Sequence, residues 1–274
     1  MPKSPTMTTG EFHKMHGLGN DFVIIDARAR PLAISPARAR MIADRKLGIG
    51  CDQLIVLFAS DIADVGMRIF NPDGSEVESC GNASRCVVAL IGKDISIETR
   101  GGVITGRLSG SKVTVEMGEA RFEWADIPLA FAMDSAALPL AWDDLQSPMA
   151  VNVGNPHVVF FVPDSAKVEL ERLGPEIEND AAFPERVNVN VATIVGNEIQ
   201  LRVWERGAGL TRACGTGACA TAVAAIKQGK VTAPVKVHQP GGTLTVDWAP
   251  GSPVVMTGGT THVFTGTANW DSFG

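Results

Sequence analysis

The segment RIFNPDGSEVESCG, residues 68–81, recurs 134 residues later as RVWERGAGLTRACG, residues 202–215. Both copies share an arginine, an aliphatic residue and an aromatic residue at the start, and both end on Cys-Gly with no gap between. A second pair, GLGNDFVII from Gly17 and NVGNPHVVF from Asn152, matches at an offset of 135. Ordered matches at a nearly constant offset indicate an internal duplication. The sequence therefore predicts two pseudo-symmetric halves, each running strand, loop, Cys-Gly and helix.

Short apolar runs separated by turn residues predict many strands and few helices. Helices are predicted over residues 36–43, 82–91 and 217–228, and the last two are apolar on nearly every side, which is typical of buried helices. The predicted fold class is α+β, with each half a mixed β-sheet wrapped around a central helix. We expect a first domain over residues 1–126, with Cys80, and a second over residues 127–263, with Cys214. The tail at about 264–274 is expected to pack back on the first domain. Strands are predicted over residues 22–25, 54–58, 67–70, 113–117, 158–162, 199–204 and 254–256.

Composition narrows the classes of function. Hydrophobic residues make up 45% and charged residues 20% of the chain, which is ordinary for a globular protein. The net charge of -6 argues against a nucleic-acid partner, and the longest apolar runs are too short to span a membrane. The first nine residues lack the apolar core of a signal peptide, so we expect a disordered leader, with Met1 or Met7 as the start. These features predict a cytoplasmic protein, and a homodimer is compatible with them.

Cys80 and Cys214 each lie where a predicted helix begins and are followed by glycine. A helix N-terminus offers unpaired N–H groups and a positive dipole end, which bind anions and lower the pKa of a neighbouring thiol. Asn82 and Thr216 are predicted to cap the helices. Two such ends would hold one carboxylate and present a sulfur to each face of its α-carbon. This arrangement suits proton removal on one face and proton delivery on the other, without a cofactor.

Other interpretations of the five cysteines remain open at this stage. Cys51, Cys86 and Cys219 are predicted to be buried core residues, because isolated cysteines are usually small core hydrophobes. A Cys80–Cys214 disulfide is the structural alternative, although disulfides are rare in the cytoplasm. Zinc is not expected, because Cys80 and Cys86 are separated by five residues, and the short spacing of Cys214 and Cys219 has no second such pair to complete a structural zinc site.

Several long motifs carry a resemblance to a known family: HKMHGLGNDF, GIGCDQL, RIFNPDGSEVESCGNASRC, GNPHVVFF, PERVNVN and RVWERGAGLTRACGTGACATAVA. In this order, over roughly residues 11–265, the chain resembles the diaminopimelate epimerases. The resemblance implies interconversion of LL- and meso-diaminopimelate, a step in lysine and peptidoglycan-precursor synthesis, with no cofactor and no metal. It also implies two similar domains that close on the substrate.

The resemblance also implies site residues. Cys80 and Cys214 match the acid–base pair of the family, Glu205 matches a residue near the reacting centre, and His157 one beside the first cysteine. The matched substrate-binding positions are Asn20, Gln53, Asn71, Gly81, Asn82, Asn155, Asn188, Arg206, Gly215 and Thr216. Trp204 departs from the family, in which tyrosine is usual at this position, and the ending after Phe264 is also unlike that of the family. Arg68 lies outside the matched set and is expected to be structural.

Two other functions are compatible with the same residues. A proline or hydroxyproline racemase would share the two-cysteine chemistry, but its substrate has no second amino-carboxylate end. Arg206, with Asn71 and Asn188, has a clear role only if that end exists, because its guanidinium fork matches a carboxylate. A non-catalytic small-molecule-binding homologue is the third interpretation, and retention of both cysteines argues against it.

Overall fold

The structure is a computed structural model that describes residues 9–78 and 80–274. The expected disordered leader and the choice between Met1 and Met7 therefore fall, except for Thr9, outside the described residues. Contacts group the described chain into two units. Unit 1 contains residues 9–17, 21–111 and 260–274, with residue 79 left out, and unit 2 contains residues 18–20 and 112–259.

Strands account for most of the regular structure. In chain order they are β1 Thr9–Gly17, β2 Asn20–Asp26, β3 Gln53–Phe58, β4 Val65–Phe70, β5 Glu76–Val77, β6 Ile95–Thr99, β7 Gly102–Ser109, β8 Lys112–Glu119, β9 Ala141–Trp142, β10 Leu145–Gln146, β11 Met149–Asn152, β12 Pro156–Phe161, β13 Asn188–Val195, β14 Glu198–Glu205, β15 Gly209–Thr211, β16 Val235–Gln239, β17 Gly242–Asp247, β18 Pro253–Gly259 and β19 Thr261–Asn269.

Helices are few and short. They are α1 Pro36–Ala43, α2 Gly81–Ile91, α3 Leu170–Glu178 and α4 Gly215–Lys227, with single 3₁₀ turns at Ser165–Lys167 and Trp270–Phe273. Among the described residues, no helix has the length and apolar character needed to cross a membrane.

In unit 1 the strands form a mixed sheet. β19 pairs antiparallel with β1, and β2 runs parallel to β3. β3 pairs antiparallel with β4, β4 runs parallel to β6, and β6 pairs antiparallel with β7. Helix α2 contacts β1, β7 and β19. Alternate residues of β2 and β3, including Val23, Ile25 and Leu54, form a separate core with α1. Because side chains alternate across a strand, the residues between them point to the opposite face of the sheet.

Unit 2 repeats this arrangement. β11 pairs antiparallel with β12, β12 runs parallel to β13, and β13 pairs antiparallel with β14. The sheet continues through β16, β17 and β18 to β8. Helix α4 packs on one face of this sheet, where it joins a core that includes Val159 and Ala192. Helix α3 packs on the other face with Val158, Val189 and Val191. The central helix and mixed sheet confirm the predicted α+β class.

Strand registers in the two units show the duplication directly. Phe22 lies opposite Gln53 in unit 1, and His157 lies opposite Asn188 in unit 2, which are the positions matched at offset 135. In the next strand pair, Leu54 opposes Phe70 and Val189 opposes Trp204. The sequence repeat is therefore a repeat of strand pairing as well.

The last strand of each half of the sequence belongs to the other unit. β8 comes after the strands of unit 1 in sequence but lies in unit 2, and β19 comes after the strands of unit 2 but lies in unit 1. β8 pairs with β18 of unit 2, and β19 pairs with β1 of unit 1. For this reason the contacts change unit at Lys112 and at Thr260. The division expected after residues 126 and 263 stays a prediction.

Candidate active site

Both predicted catalytic cysteines are the N-cap residues of the central helices. Cys80 precedes α2 with φ -149° and ψ 108°, and Cys214 precedes α4 with φ -121° and ψ 117°. The carbonyl oxygens of the two cysteines accept from Ser84 N at 2.9 Å and from Ala218 N at 3.0 Å. The expectation that Asn82 and Thr216 cap these helices is wrong, because the helices begin at Gly81 and Gly215. The cysteine side chains therefore lie at the helix ends themselves.

The backbone just before each cysteine is held in the same way in both units. Gly101 N donates to Glu78 O at 3.1 Å, and Gly241 N donates to Arg212 O at 2.7 Å. In unit 2, Gln239 adds a side-chain contact: its Oε1 accepts from Cys214 N at 2.8 Å. Gln239 was not predicted from the sequence. It lies far along the chain, in a stretch that carries no catalytic motif.

The surroundings of Cys214 favour its thiol form. The residue is buried, its Sγ accepts from Gly217 N at 3.3 Å, and Thr216 Oγ1 lies 3.5 Å from the sulfur. Burial raises the pKa of the Cys214 thiol well above its ordinary value, and the negative charge of Glu205 raises it further. The expected lowering of this pKa by the helix end is therefore wrong for Cys214, because desolvation outweighs the donors.

In unit 1 the structure brings two predicted binding residues into contact. Gln53 Nε2 donates to Asn71 Oδ1 at 3.0 Å, which links the start of β3 to the end of β4. Cys80 is half-buried, whereas Asn82 is buried and its Oδ1 accepts from Arg85 Nη2 at 2.8 Å. The amide of Asn82 is thus tied to its own helix.

The remaining predicted residues belong to unit 2. Asn20, half-buried at the first position of β2, is grouped with that unit. Asn188 Oδ1 accepts from Arg206 N at 2.9 Å, and Asn188 Nδ2 donates to Pro156 O at 2.8 Å. The Arg206 side chain donates from Nη1 to Glu185 O at 3.0 Å. Asn188 therefore joins the start of β12, next to Asn155, to the backbone of Arg206.

Glu205 and Arg206 are positioned by a carboxylate that sequence reasoning missed. Glu178, buried at the end of α3, accepts from Trp204 Nε1 at 2.8 Å and from Gly207 N at 2.8 Å. These contacts hold the residues on both sides of the Glu205–Arg206 pair. Trp204, the departure from the family pattern, supplies the indole N–H for this bond. Glu205 Oε1 accepts from Thr211 Oγ1 at 2.6 Å.

His157 lies completely buried on the α4 face of the sheet. Its Nε2 is 2.8 Å from Asn155 Oδ1, and its Nδ1 is 3.1 Å from Asn190 Nδ2. Burial lowers the pKa of His157 to about 3, so the ring is neutral near pH 7. The assignment of His157 to the catalytic set stays a prediction.

The other cysteines behave as core residues. Cys51, Cys86 and Cys219 are buried, as predicted, and burial raises the pKa of Cys51 and of Cys86 to about 12. All five cysteines lie among the described residues, and none forms a disulfide. Within residues 9–78 and 80–274, no three His, Cys, Asp or Glu side chains are grouped as metal ligands.

The two arginines that open the repeated segment have structural contacts. Arg68 forms a bidentate pair with Glu76, at 2.9 and 2.8 Å, and lies over the ring of Phe70. Arg202 donates to Ser165 O and Val168 O at 3.1 and 2.7 Å. The repeat therefore preserves a structural arginine in each unit, as expected for Arg68.

Solved structures share this two-unit architecture at low sequence identity. A phenazine biosynthesis protein of the PhzF family from Bacillus anthracis matches with a TM-score of 0.68 and 18% identity, covering 96% of this chain and 99% of its own. A hydroxyproline epimerase from Agrobacterium vitis matches with a TM-score of 0.67 and 14% identity, covering 95% and 91%. The fold is therefore that of a class of duplicated α+β proteins that includes PhzF-family proteins and amino-acid epimerases.

Sequence comparison is more specific. The sequence profile of the family described as diaminopimelate epimerase matches residues 12–123 and 149–263. The diaminopimelate epimerase of Rhizorhabdus wittichii is 63% identical over 265 residues, 96% of this chain and 97% of the relative. That of Sphingopyxis alaskensis is 61% identical over 96% of this chain and 98% of the relative. The chain belongs to the diaminopimelate epimerase family.

Proposed function

We propose that this chain interconverts LL- and meso-diaminopimelate, a step in lysine and peptidoglycan-precursor synthesis. The observation that carries the proposal is the family match across both halves, at 63% identity to a relative of that name. Two N-cap cysteines at equivalent positions of a duplicated fold support it further, because stereoinversion needs one acid–base group for each face of the carbon.

In the proposed reaction, one proton is removed from the α-carbon and another is delivered to its opposite face. One cysteine, as thiolate, takes the α-proton and becomes a thiol, while the other thiol delivers its proton to the opposite face and becomes a thiolate. The electron pair of the broken C–H bond is delocalised into the carboxylate before it forms the new bond. The backbone N–H groups at Gly81-Asn82 and Gly215-Thr216 are proposed to stabilise that charge. Burial raises the pKa of the Cys214 thiol, which favours its protonated form when no substrate is bound.

The residues proposed for substrate binding complete this assignment. Asn20, Gln53, Asn71, Asn155, Asn188 and Arg206 are proposed to hold the two amino-carboxylate ends of diaminopimelate. Glu205 is proposed to influence the protonation of Cys214, because the negative charge of Glu205 raises the pKa of the Cys214 thiol. The cytoplasmic location and the homodimer also stay predictions, which cell fractionation and light scattering can test.

The decisive experiment uses purified protein, LL-diaminopimelate and a thiol reductant, without pyridoxal phosphate. Chiral separation should show meso-diaminopimelate accumulating, and reaction in D₂O should place deuterium on the epimerised carbon. A Cys214→Ala preparation, purified identically, controls for contaminating epimerase. Absence of both the meso isomer and deuterium uptake would reject the proposed function. Faster turnover of proline than of diaminopimelate would instead favour the proline racemase alternative.

A further inference from the structure

The side-chain amide of Asn190 has only one orientation that fits its surroundings. Asn190 Nδ2 lies 2.9 Å from Val158 O, 3.4 Å from Asn188 O and 3.1 Å from His157 Nδ1. Two of these neighbours are carbonyl oxygens, which only accept, so the group that faces them must be the NH₂ end. Rotation of the amide by 180° would set oxygen against oxygen. Asn190 is therefore a donor to the His157 ring.

This orientation fixes the tautomer of His157. Because Nδ1 accepts from Asn190, the proton of the neutral ring is on Nε2. Nε2 then donates to Asn155 Oδ1 at 2.8 Å. The ring is completely buried, and burial lowers the pKa of His157 to about 3, so the doubly protonated form does not compete near pH 7.

The tautomer in turn fixes the amide of Asn155. Its oxygen is occupied by the His157 N–H, so its NH₂ group points away from the ring. Asn155 is only half-buried, unlike the two residues behind it. The hydrogen bonds from Asn190 to His157 and from His157 to Asn155 thus fix which end of the Asn155 amide faces away from the core of unit 2. Asn155 is predicted to bind substrate. We use the term amide relay for these three residues.

The duplicated half has no such relay. The residues of unit 1 at the positions of His157 and Asn190 are Phe22 and Ile55, both buried and apolar. The fold is therefore compatible with an apolar pair at this place, and polar groups there carry a desolvation penalty. Asn190 Oδ1 itself has no hydrogen-bond donor among the described residues. His157 and Asn190 are polar where the other half has apolar residues, and their burial carries a desolvation penalty. We take this as an indication that the two residues do more than pack the core.

We propose that Asn190 and His157 are positioning residues that hold Asn155 as a hydrogen-bond donor to a carboxylate of the substrate. His157 acts in this role through its fixed tautomer. The substrate part of this inference rests on the proposed function, since diaminopimelate has carboxylates as its only acceptors. The tautomer part does not depend on it.

Nitrogen-15 NMR of histidine-labelled wild-type protein tests the tautomer without any change in the core. Long-range proton–nitrogen correlations should show one histidine with a bare Nδ1 and a protonated Nε2, unchanged between pH 8 and pH 5. The spectrum of a His157→Phe variant identifies the signal. A protonated Nδ1, or a doubly protonated ring at pH 6, would overturn the relay whatever the enzyme does with diaminopimelate.

A variant that reverses the His157 tautomer tests whether Asn190 sets the orientation of the Asn155 amide. In Asn190→Asp the carboxylate can only accept, so His157 should carry its proton on Nδ1 and the Asn155 amide should turn its oxygen outward. We expect KM for LL-diaminopimelate to rise roughly tenfold, the loss of one hydrogen bond to a charged group, with a much smaller change in kcat. Asn152→Asp is the matched control, because Asn152 is buried nearby and forms its side-chain hydrogen bonds outside the relay: it donates to Asp126 O and accepts from Gly154 N and Arg121 Nη2. The His157 tautomer should be unchanged in the control.

A second variant guards against misfolding of the first. His157→Phe combined with Asn190→Ile installs the apolar pair that unit 1 already uses, so the fold should be kept while the relay is lost. KM should rise by a similar factor, and a further Asn155→Ala change should add little, because Asn155 no longer has a fixed direction. An unchanged KM in this folded double variant, or full additivity with Asn155→Ala, would overturn the positioning role. If wild-type protein shows the expected tautomer but no epimerisation, the proposed function fails and the tautomer assignment stands.

Discussion

At the scale of single residues, the two N-cap cysteines are the most direct targets. Cys80→Ala and Cys214→Ala should each lower kcat for epimerisation by about 10²–10⁴-fold, the usual contribution of a general acid or base. Cys219→Ala is the matched control: this cysteine is buried in α4, so its loss should cost about 1 kcal/mol of stability and leave the turnover rate near wild type. Chiral chromatography measures the rates. Near-normal turnover in either catalytic variant would contradict the two-cysteine mechanism.

His157 predicts an acid-sensitive unit 2. Its folded-state pKa, about 3, lies below the ordinary value of 6.5, so the unfolded chain binds the proton more tightly. The stabilisation is present above pH 6.5 and is lost as pH falls towards 3, at about 1.4 kcal/mol per pH unit. Urea unfolding at pH 7, 6 and 5, followed by tryptophan fluorescence, measures it, since all tryptophans except Trp270 lie in unit 2.

The comparison for this measurement is a His157→Gln variant, which cannot titrate in this range. Its free energy of unfolding should fall less steeply on acidification than that of wild type. Parallel pH profiles for the two proteins would show that the pKa of His157 is the same in the folded and the unfolded chain, as for an exposed ring.

The sequence indicated some of these residues and not others, for a physical reason. Cys80 and Cys214 were found because the repeat puts the same local signal in both halves. Asn190, Glu178 and Gln239 act through contacts made by the folded sheet, between segments far apart in the chain. Asn190 follows Asn188 by two positions in β13, so strand periodicity places both on one face, yet only packing shows that His157 lies there too.

At the scale of secondary structure, periodicity and turn residues predicted three of the four helices and seven of the nineteen strands among the described residues. Helix α1 has the predicted bounds, Pro36–Ala43, and α2 and α4 begin one or two residues before the predicted starts. Each of the seven predicted strands corresponds to an observed one. Helix α3 was missed, because Gly174 and Pro175 interrupt its short apolar pattern of Leu170, Leu173 and Ile177. Its formation depends on the core it shares with β12 and β13.

Gly174 of α3 lies against the side chain of Trp204 in β14. A Cβ at this position would lie 2.4 Å from Trp204 Cδ2, so Gly174→Ala must displace the indole that donates to Glu178. We expect a loss of about 1–3 kcal/mol in the free energy of unfolding, as for other overpacked cores. KM for diaminopimelate should rise as well, because Glu178 also holds Gly207 beside Arg206.

Gly259→Ala provides the control for this substitution. Gly259 has open space around the added Cβ and no positive φ, so stability and KM should both stay near wild type. Urea unfolding and steady-state kinetics on the two variants give the comparison. Equal stability of the Gly174 and Gly259 variants would mean that α3 moves freely away from β14.

At the scale of the whole chain, the sequence predicted two similar halves and a C-terminal tail that packs back on the first one, but it did not predict that β8 pairs with β18 of unit 2. Deletion of residues 260–274 removes β19, the antiparallel partner of β1, and Trp270, which packs against Phe12. Unit 2 keeps all of its strands. We therefore expect hydrogen exchange of β1 amides, including Phe12 and Met15, to become fast while β16–β18 amides stay protected. β1 also pairs with β2, so retained protection in β1 would show that this second pairing is sufficient to hold the strand.

Because β1 is at the start of the chain and β19 near its end, β1 is synthesised long before its partner strand. β1 ends at Gly17 and β19 begins at Thr261, and at roughly 5–20 residues per second the ribosome needs on the order of 10–50 s to cover that interval. During this time one edge of β1 is open on the nascent chain, where it can pair with other strands. A ribosome that stalls or terminates before residue 261 releases a product with that edge still open. Premature termination after β1 but before residue 261 therefore leaves β1 without β19, and this unpaired strand makes the product a substrate for chaperones and proteases.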